Sequence, residues 1–210
     1  FGSSLDTLRY DIEEEMESEA LLGEALNRHF QHVEVNLGDG SFDLSSLLID
    51  GSSISDHSID ANSAIDTWGN KDTLGGIQNV EGSSQDDFLV GSETVNNISG
   101  GEGDDLIYGG AGSDTLSGGY GADTFVFLSR DQHDATNDIN TILDFEAKED
   151  FLAFEGLGAK DISVEVFDLD SSGSLDMVLT ANNNPDWGAI VLVDVGRLDV
   201  EDIVVDVTVA

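Results

Sequence analysis

A single large apolar residue returns at every ninth position from Leu89 to Phe125, through Ile98, Ile107 and Leu116, and each is preceded by Asp or Asn two residues earlier. Cut into nines from Gly82, the stretch reads GSSQDDFLV, GSETVNNIS, GGEGDDLIY, GGAGSDTLS and GGYGADTFV, with no insertion. The last three follow G-G-x-G-x-D-x-U-x at every fixed position, U being the large apolar residue. A fixed period of this kind marks stacked coils. A three-residue strand in each unit turns its apolar residue inward and its neighbours outward, because side chains alternate along a strand. Two units make one coil of turn, strand, turn and strand, with successive coils about 4.8 Å apart. Asp87, Asp105 and Asp123 then line one edge, and Asn96 and Asp114 the other. A flexible Gly/Ser/Asp linker is the alternative, but it gives no reason for an apolar residue at every ninth position.

Elsewhere the pattern changes. Residues 1–10 read as a short strand with Leu5, Leu8 and Tyr10. Over 11–31, Ile12, Met16, Leu22, Leu26 and Phe30 recur at helical spacing, and Glu13, Glu14, Glu15 and Glu17 crowd the first turns, where the helix dipole favours them. The spacing predicts an amphipathic helix whose apolar face packs on the coil or binds a partner. His29 and His32 at its end read as solvated histidines or as a metal pair without a third ligand nearby. Residues 33–37 alternate as a strand and 38–40 form a turn; 41–64 read as short strands and loops. Ile77 and Val80 are expected to continue the apolar column beneath Leu89. After Phe127, INTILDF and DFLAF read as strands. Two more surround Asp168, Asp170, Ser172, Gly173 and Asp176, a segment that is either a calcium loop or a plain hairpin turn; its twelfth position is Leu179 and no helices flank it.

Charge sharpens the picture. The chain of 210 residues carries 44 acidic and 7 basic side chains, a formal net charge of -37. It lacks the Lys and Arg that nucleic acid or an anionic membrane requires. Self-repulsion of this size opposes compaction, so a cation is the obvious partner. Calcium takes six to eight oxygens, and glycine-rich turns can bring main-chain carbonyls and one carboxylate per turn to a shared point. Cysteine is absent, which removes disulfides and thiol chemistry. No stretch is long enough to span a bilayer. The chain starts at Phe1 with no leader-like n-region and h-region, so it reads as a fragment or as a protein whose address lies elsewhere.

On the nonapeptides, the stretch resembles the calcium-binding β-roll of RTX proteins, a bacterial family exported by type I secretion. FGSSLDTLRY, VEVNLGDG and DTWGNKDTLGGIQNVEGS are similar to segments that precede RTX repeats, and INTILDF and DFLAF to flanking strands that cap the roll. The resemblance implies an all-β fold: a parallel β-roll with a β-rich C-terminal cap and one N-terminal helix. It divides the chain into 1–32, a strand and inserted helix; 33–126, the roll; and 127–210, the cap with an export signal. Each ion would lie between stacked turns, held by the second and fourth carbonyls and the Asp of one turn and by the first and third carbonyls and the Asp two repeats on. Carried over, one site joins Gly101, Gly103 and Asp105 to Gly118, Tyr120 and Asp123. A second joins Ser92, Thr94 and Asn96 to Gly109, Ala111 and Asp114, and a third joins Ser83, Gln85 and Asp87 to Gly100, Glu102 and Asp105. The first turns of these two lack the glycines, and Asn96 is a neutral ligand. Gly110 with Gly112, and Gly119 with Gly121, would start further sites closed by the acidic stretch after Phe127.

The function implied is a calcium-dependent folding and secretion module at the C-terminus of a large extracellular protein, an adhesin, with the type I exporter and several calcium ions as partners. The alternatives are the RTX region of a secreted hydrolase or epimerase, or a module binding a cell-surface glycan or protein. No P-loop, H-E-x-x-H, G-x-S-x-G or Cys/His set marks this chain as an enzyme.

Overall fold

The structure is a computed structural model that describes residues 6–9, 33–43, 47–49, 52–53, 58–65, 70–128, 138–169, 171–182, 188–196 and 198–209. The helix expected over 11–31, with His29 and His32, and the lead-in residues 66–69 lie outside the described residues.

The repeats wind into a parallel two-sheet coil. Strands β9 (Ile77–Glu81), β11 (Asn97–Glu102) and β13 (Thr115–Tyr120) stack in one sheet, and β10 (Phe88–Ser92), β12 (Leu106–Gly110) and β14 (Thr124–Phe127) in the other. Within a sheet each residue pairs with the one a full coil later, as in Leu89 with Ile107 and Ile98 with Leu116. The strands run past the three expected residues, because main-chain pairing persists into the turns through Ser92–Gly110 and Gly101–Gly119.

The coil also extends beyond the repeats at both ends. Before them, β1 (Asp6–Arg9) lies parallel to β9 and β2 (Glu34–Asn36) parallel to β10. After them, β15 (Ile139–Ile142) and β16 (Phe151–Glu155) stack parallel on β13 and β14, and β19 (Ala189–Leu192) and β20 (Val204–Val209) on those. Parallel pairing therefore continues across the 126/127 boundary. An antiparallel hairpin, β17 (Ile162–Phe167) and β18 (Asp176–Ala181), finishes the first sheet against β19. At the opposite end of the second sheet, β7 (Ser63–Ile65) and β8 (Lys71–Thr73) add antiparallel strands to β2.

The core lies between the two sheets. Leu89, Ile98, Ile107, Leu116 and Phe125 are buried there, in one cluster with Val35, Val80, Ile142, Leu152 and Leu192. Val80 stacks on Ile98, in the sheet facing Leu89 rather than beneath it, because a step of nine residues crosses from one sheet to the other. The second sheet is apolar on its outer face too. Val90, Tyr108, Val126 and Ala153 follow one another in register there and form a second buried cluster with Phe42 and Ile59. Those two come from β3 (Phe42–Asp43) and β6 (Ser58–Ile59), a small antiparallel pair; the Phe42 and Tyr108 rings lie 5.0 Å apart. Between them, β4 (Leu47–Ile49) and β5 (Ser52–Ser53) pair with each other, and β4 pairs with β20. Ile59 of β6 thus lies beside β2, its carbonyl accepting from Asn36 Nδ2 at 3.1 Å, while β4 lies on β20 near the other end of this sheet.

Candidate metal centre

At the second and fourth positions of turns 100–105, 109–114 and 118–123, the chain stacks so closely that only glycine fits. Gly101, Gly103, Gly110, Gly112, Gly119 and Gly121 have φ between 88° and 133°, a region that a Cβ makes costly. A Cβ at Gly119 would collide with the Gly101 carbonyl oxygen and one at Gly121 with that of Gly103, so second- and fourth-position carbonyls face forward onto the next turn. First-position carbonyls face back, since a Cβ at Gly82, Gly91 or Gly100 would meet the carbonyl oxygen of Gly100, Gly109 or Gly118. Two sets of main-chain oxygens therefore point into the layer between stacked turns.

The sixth position adds a carboxylate ladder. Asp105 Oδ1 accepts the Asp87 N–H at 2.8 Å, Asp123 Oδ1 the Asp105 N–H at 2.9 Å, and Asp150 Oδ1 the Asp123 N–H at 3.0 Å. On the other edge, Asp114 Oδ1 accepts the Asn96 N–H at 2.9 Å and Asn140 Oδ1 the Asp114 N–H at 3.0 Å. One oxygen of each side chain in the ladder is thus spent on holding coil to coil. The other is not: Oδ2 of Asp105 and of Asp123 is buried without a hydrogen-bond partner. Asp105 Oδ2 lies beside Gly100, where a Cβ would run into both that oxygen and the Gly118 carbonyl.

The electrostatic consequence is severe. Burial pushes the Asp105 carboxyl up to about 9; the Asp87 N–H offsets this in part, and repulsion from Asp87, Asp123 and Asp86 adds to it. Burial likewise raises Asp123 and Asp150 to about 6, with Asp144 repelling both. A buried, partnerless carboxylate oxygen beside an inward carbonyl is a place for a hard cation, whose charge reverses the local preference for the protonated form. The oxygen donor set fits calcium. An ion in this layer would be held by the inward main-chain carbonyls together with the ladder carboxylates.

All three sets implied by the resemblance are brought together. Turn 100–105 stacks on turn 118–123, with the Gly103 N–H donating to the Tyr120 carbonyl at 2.8 Å. Turn 91–96, with Ser92, Thr94 and Asn96, stacks on Gly109, Ala111 and Asp114, and the Ala111 N–H donates to the Ser92 carbonyl at 3.1 Å. Turn 82–87, with Ser83, Gln85 and Asp87, stacks on Gly100, Glu102 and Asp105, and the Glu102 N–H donates to the Ser83 carbonyl at 3.3 Å. The turn of Gly110 and Gly112 is closed by Asp138, whose Oδ2 accepts the Gly112 N–H at 3.2 Å, and by Asn140. The turn of Gly119 and Gly121 is closed by Asp144, whose Oδ1 accepts the Gly118 N–H at 3.0 Å, and by Asp150.

Asn140, Asp144 and Asp150 are absent from the sequence-based ligand set, although a signal exists. Asn140 and Asp150 each stand two residues before a buried apolar residue, Ile142 and Leu152, as in the repeats, but 26 and 27 residues after their partners instead of 18. The segment around Asp176 is a hairpin connection: its carboxylate accepts the Leu169 N–H at 2.6 Å and the Asp194 N–H at 2.9 Å. Asp170 lies outside the described residues.

Residues 72–106 and 90–125 match the RTX calcium-binding nonapeptide repeat family, in four copies. Among solved structures the chain is similar to the AlgE6R3 subunit of the mannuronan C5-epimerase of Azotobacter vinelandii, at 30% identity over 57% of this chain and 68% of that one, with a TM-score of 0.36. No curated protein matches. The repeats, the inward carbonyls and the buried carboxylate ladder together place this chain in the family of RTX calcium-binding repeat proteins, with calcium as its cofactor.

Proposed function

We propose that the chain is a calcium-triggered folding and export module at the C-terminal end of a large secreted bacterial protein, an adhesin. The buried carboxylates of Asp105, Asp123 and Asp150 carry this reading. Where calcium is scarce, folding must bury them in a chain whose net charge is -37, and the chain stays expanded enough to be threaded through an exporter. Where calcium is millimolar, the ions neutralise the ladder and lock coil to coil. Among the described residues no helix is long and apolar enough to cross a membrane.

The test is export of a passenger fused ahead of this chain, in cells that carry a type I exporter. Export is expected to require the chain and to fall when folding is forced inside the cell by Asp105→Asn, a neutral isostere. Export unaffected by removal of the chain would overturn the secretion role.

A second reading is favoured by a surface cleft of ≈ 240 Å³ lined by Asp39, Asn62, Gln78, Ser92, Glu93 and Thr94 among others, whose polar groups suit the hydroxyls of a glycan. A glycan array would report it, and Glu93→Ala should then abolish the signal. The region of a secreted hydrolase or epimerase is the remaining alternative, decided by the domain that adjoins this one in its parent protein.

A further inference from the structure

The five repeat turns fall into two kinds. In turns 100–105, 109–114 and 118–123 the second residue is Gly101, Gly110 or Gly119, with φ of 126°, 88° and 106°. In turns 82–87 and 91–96 it is Ser83 or Ser92, and the left-handed conformation is absent.

The serines change what the sixth residue meets. Ser83 donates its N–H to Asp87 Oδ2 at 2.5 Å and its hydroxyl to Asp87 Oδ1 at 2.9 Å, and the Val33 N–H also donates to Oδ1, at 2.6 Å. The same hydroxyl oxygen accepts the Gln85 N–H at 3.2 Å. Asp87 is thus held at both oxygens by donors from its own turn and from the neighbouring strand. Turn 91–96 repeats the device on an amide: Ser92 donates its N–H at 2.7 Å and its hydroxyl at 3.0 Å to Asn96 Oδ1, and Asn96 Nδ2 donates to the Gln78 carbonyl at 3.1 Å. In the Gly-Gly turns 100–105 and 118–123 no such donors reach Asp105 Oδ2 or Asp123 Oδ2, which stay partnerless.

We propose that Ser83 and Ser92 take the place of calcium in the first two repeat turns. The layer between turns 82–87 and 100–105 and the layer between 91–96 and 109–114 hold no ion, and calcium enters only layers whose leading turn has glycine at its second position. Both Asp87 oxygens already accept donors, whereas Asp105 Oδ2 and Asp123 Oδ2 accept none and are left for a cation. The N-terminal turns therefore close without metal, while the following ones wait for it. This rests on calcium binding by the repeats and goes beyond it, because the repeat pattern alone would assign an ion to Asp87.

The test compares the native sequence with Ser83→Gly and Ser83→Thr. Calcium stoichiometry is measured by flow dialysis, and calcium-induced folding by circular dichroism. Ser83→Gly, which removes the hydroxyl from Asp87 Oδ1 and lets the turn take the left-handed conformation of Gly101 and Gly119, turning the N–H away from Oδ2, is expected to bind one more ion per chain than the native sequence. Ser83→Thr, which keeps the hydroxyl, is expected to bind the native number. An unchanged count in a Ser83→Gly chain that folds with calcium as the native one does overturns the proposal. If that variant does not fold, calcium anomalous diffraction from native crystals decides. Peaks beside Asp105 and Asp123 with none beside Asp87 support the proposal, and a peak beside Asp87 overturns it. No peak at any turn would instead defeat calcium binding by the repeats.

Discussion

Replacing Asp105 by Asn separates the two roles of the carboxylate ladder. Oδ1 of Asp105 accepts the Asp87 N–H, and an amide oxygen can do the same. Oδ2 is partnerless beside the Gly118 carbonyl, where an amide nitrogen can donate, as Asn96 Nδ2 does to the Gln78 carbonyl. With the native carboxyl pushed from 3.8 to about 9, folding at pH 7 without metal must take up a proton. Each pH unit between 3.8 and 7 costs about 1.4 kcal/mol, so the penalty is ~4 kcal/mol. Asn removes that penalty. In EDTA at pH 7, Asp105→Asn should therefore show more β structure than the largely unfolded native sequence, a shift of ~4 kcal/mol toward the folded state. In 10 mM calcium the variant's advantage narrows to about 2 kcal/mol, because the site has lost its charged ligand. A site with a Kd near 0.5 mM contributes roughly 2 kcal/mol there, and the variant forfeits that increment. Far-UV circular dichroism in EDTA and thermal unfolding in calcium measure the two effects. A variant that is less stable than the native chain in EDTA, or that gains as much from calcium as the native chain does, refutes the reasoning.

The pH dependence follows from the same groups. Carboxyls raised in the folded state, Asp105 to about 9 and Asp123 and Asp150 to about 6, bind more protons folded than unfolded. Metal-free folding is therefore most favourable near pH 4 and is lost as pH rises, through all three carboxyls up to about pH 6 and through Asp105 alone up to about pH 9; far-UV circular dichroism in EDTA at pH 4.5 and 7 should show more β structure at the lower pH. Gly119→Ala meets both a φ of 106° and the Gly101 carbonyl, and should abolish calcium-induced folding in a circular dichroism titration. Gly173→Ala, at φ 93° with no atom near the added Cβ, should cost only about 1–2 kcal/mol in the same assay. Phe125→Ala empties a fully buried position whose ring lies 6.2 Å from that of Phe145; urea unfolding in calcium should report a loss of about 3–5 kcal/mol.

Much of the roll is legible because its period is physical. The inward column from Leu89 to Phe125 and the two edges of Asp and Asn residues follow from nine residues per half-coil, and both are buried as that spacing requires. The covered outer face of the second sheet was equally written in the chain. The first, third and fifth repeats carry FLV, LIY and TFV, while the second and fourth carry NIS and TLS. One sheet is thus apolar on both faces and needs a cover, which the arm with Phe42 and Ile59 supplies. Reading each repeat alone hides this, because the distinction appears only at the 18-residue period. Asn140 and Asp150 were missed for a different reason. Their position before an inward apolar residue is kept, but loops of irregular length displace them from the register. The pairing of β4 with β20 joins segments so far apart in sequence that no local pattern marks it.

The central claim is that calcium between stacked turns is what makes this acidic coil fold at neutral pH. A far-UV circular dichroism titration of the chain at pH 7, from EDTA to 10 mM calcium with magnesium in parallel, tests it most directly. The account predicts a cooperative gain of β signal with calcium and none with magnesium, whose small octahedral shell does not suit a layer of main-chain carbonyls. A chain already fully β-structured in EDTA, or one that folds equally with either ion, would contradict it.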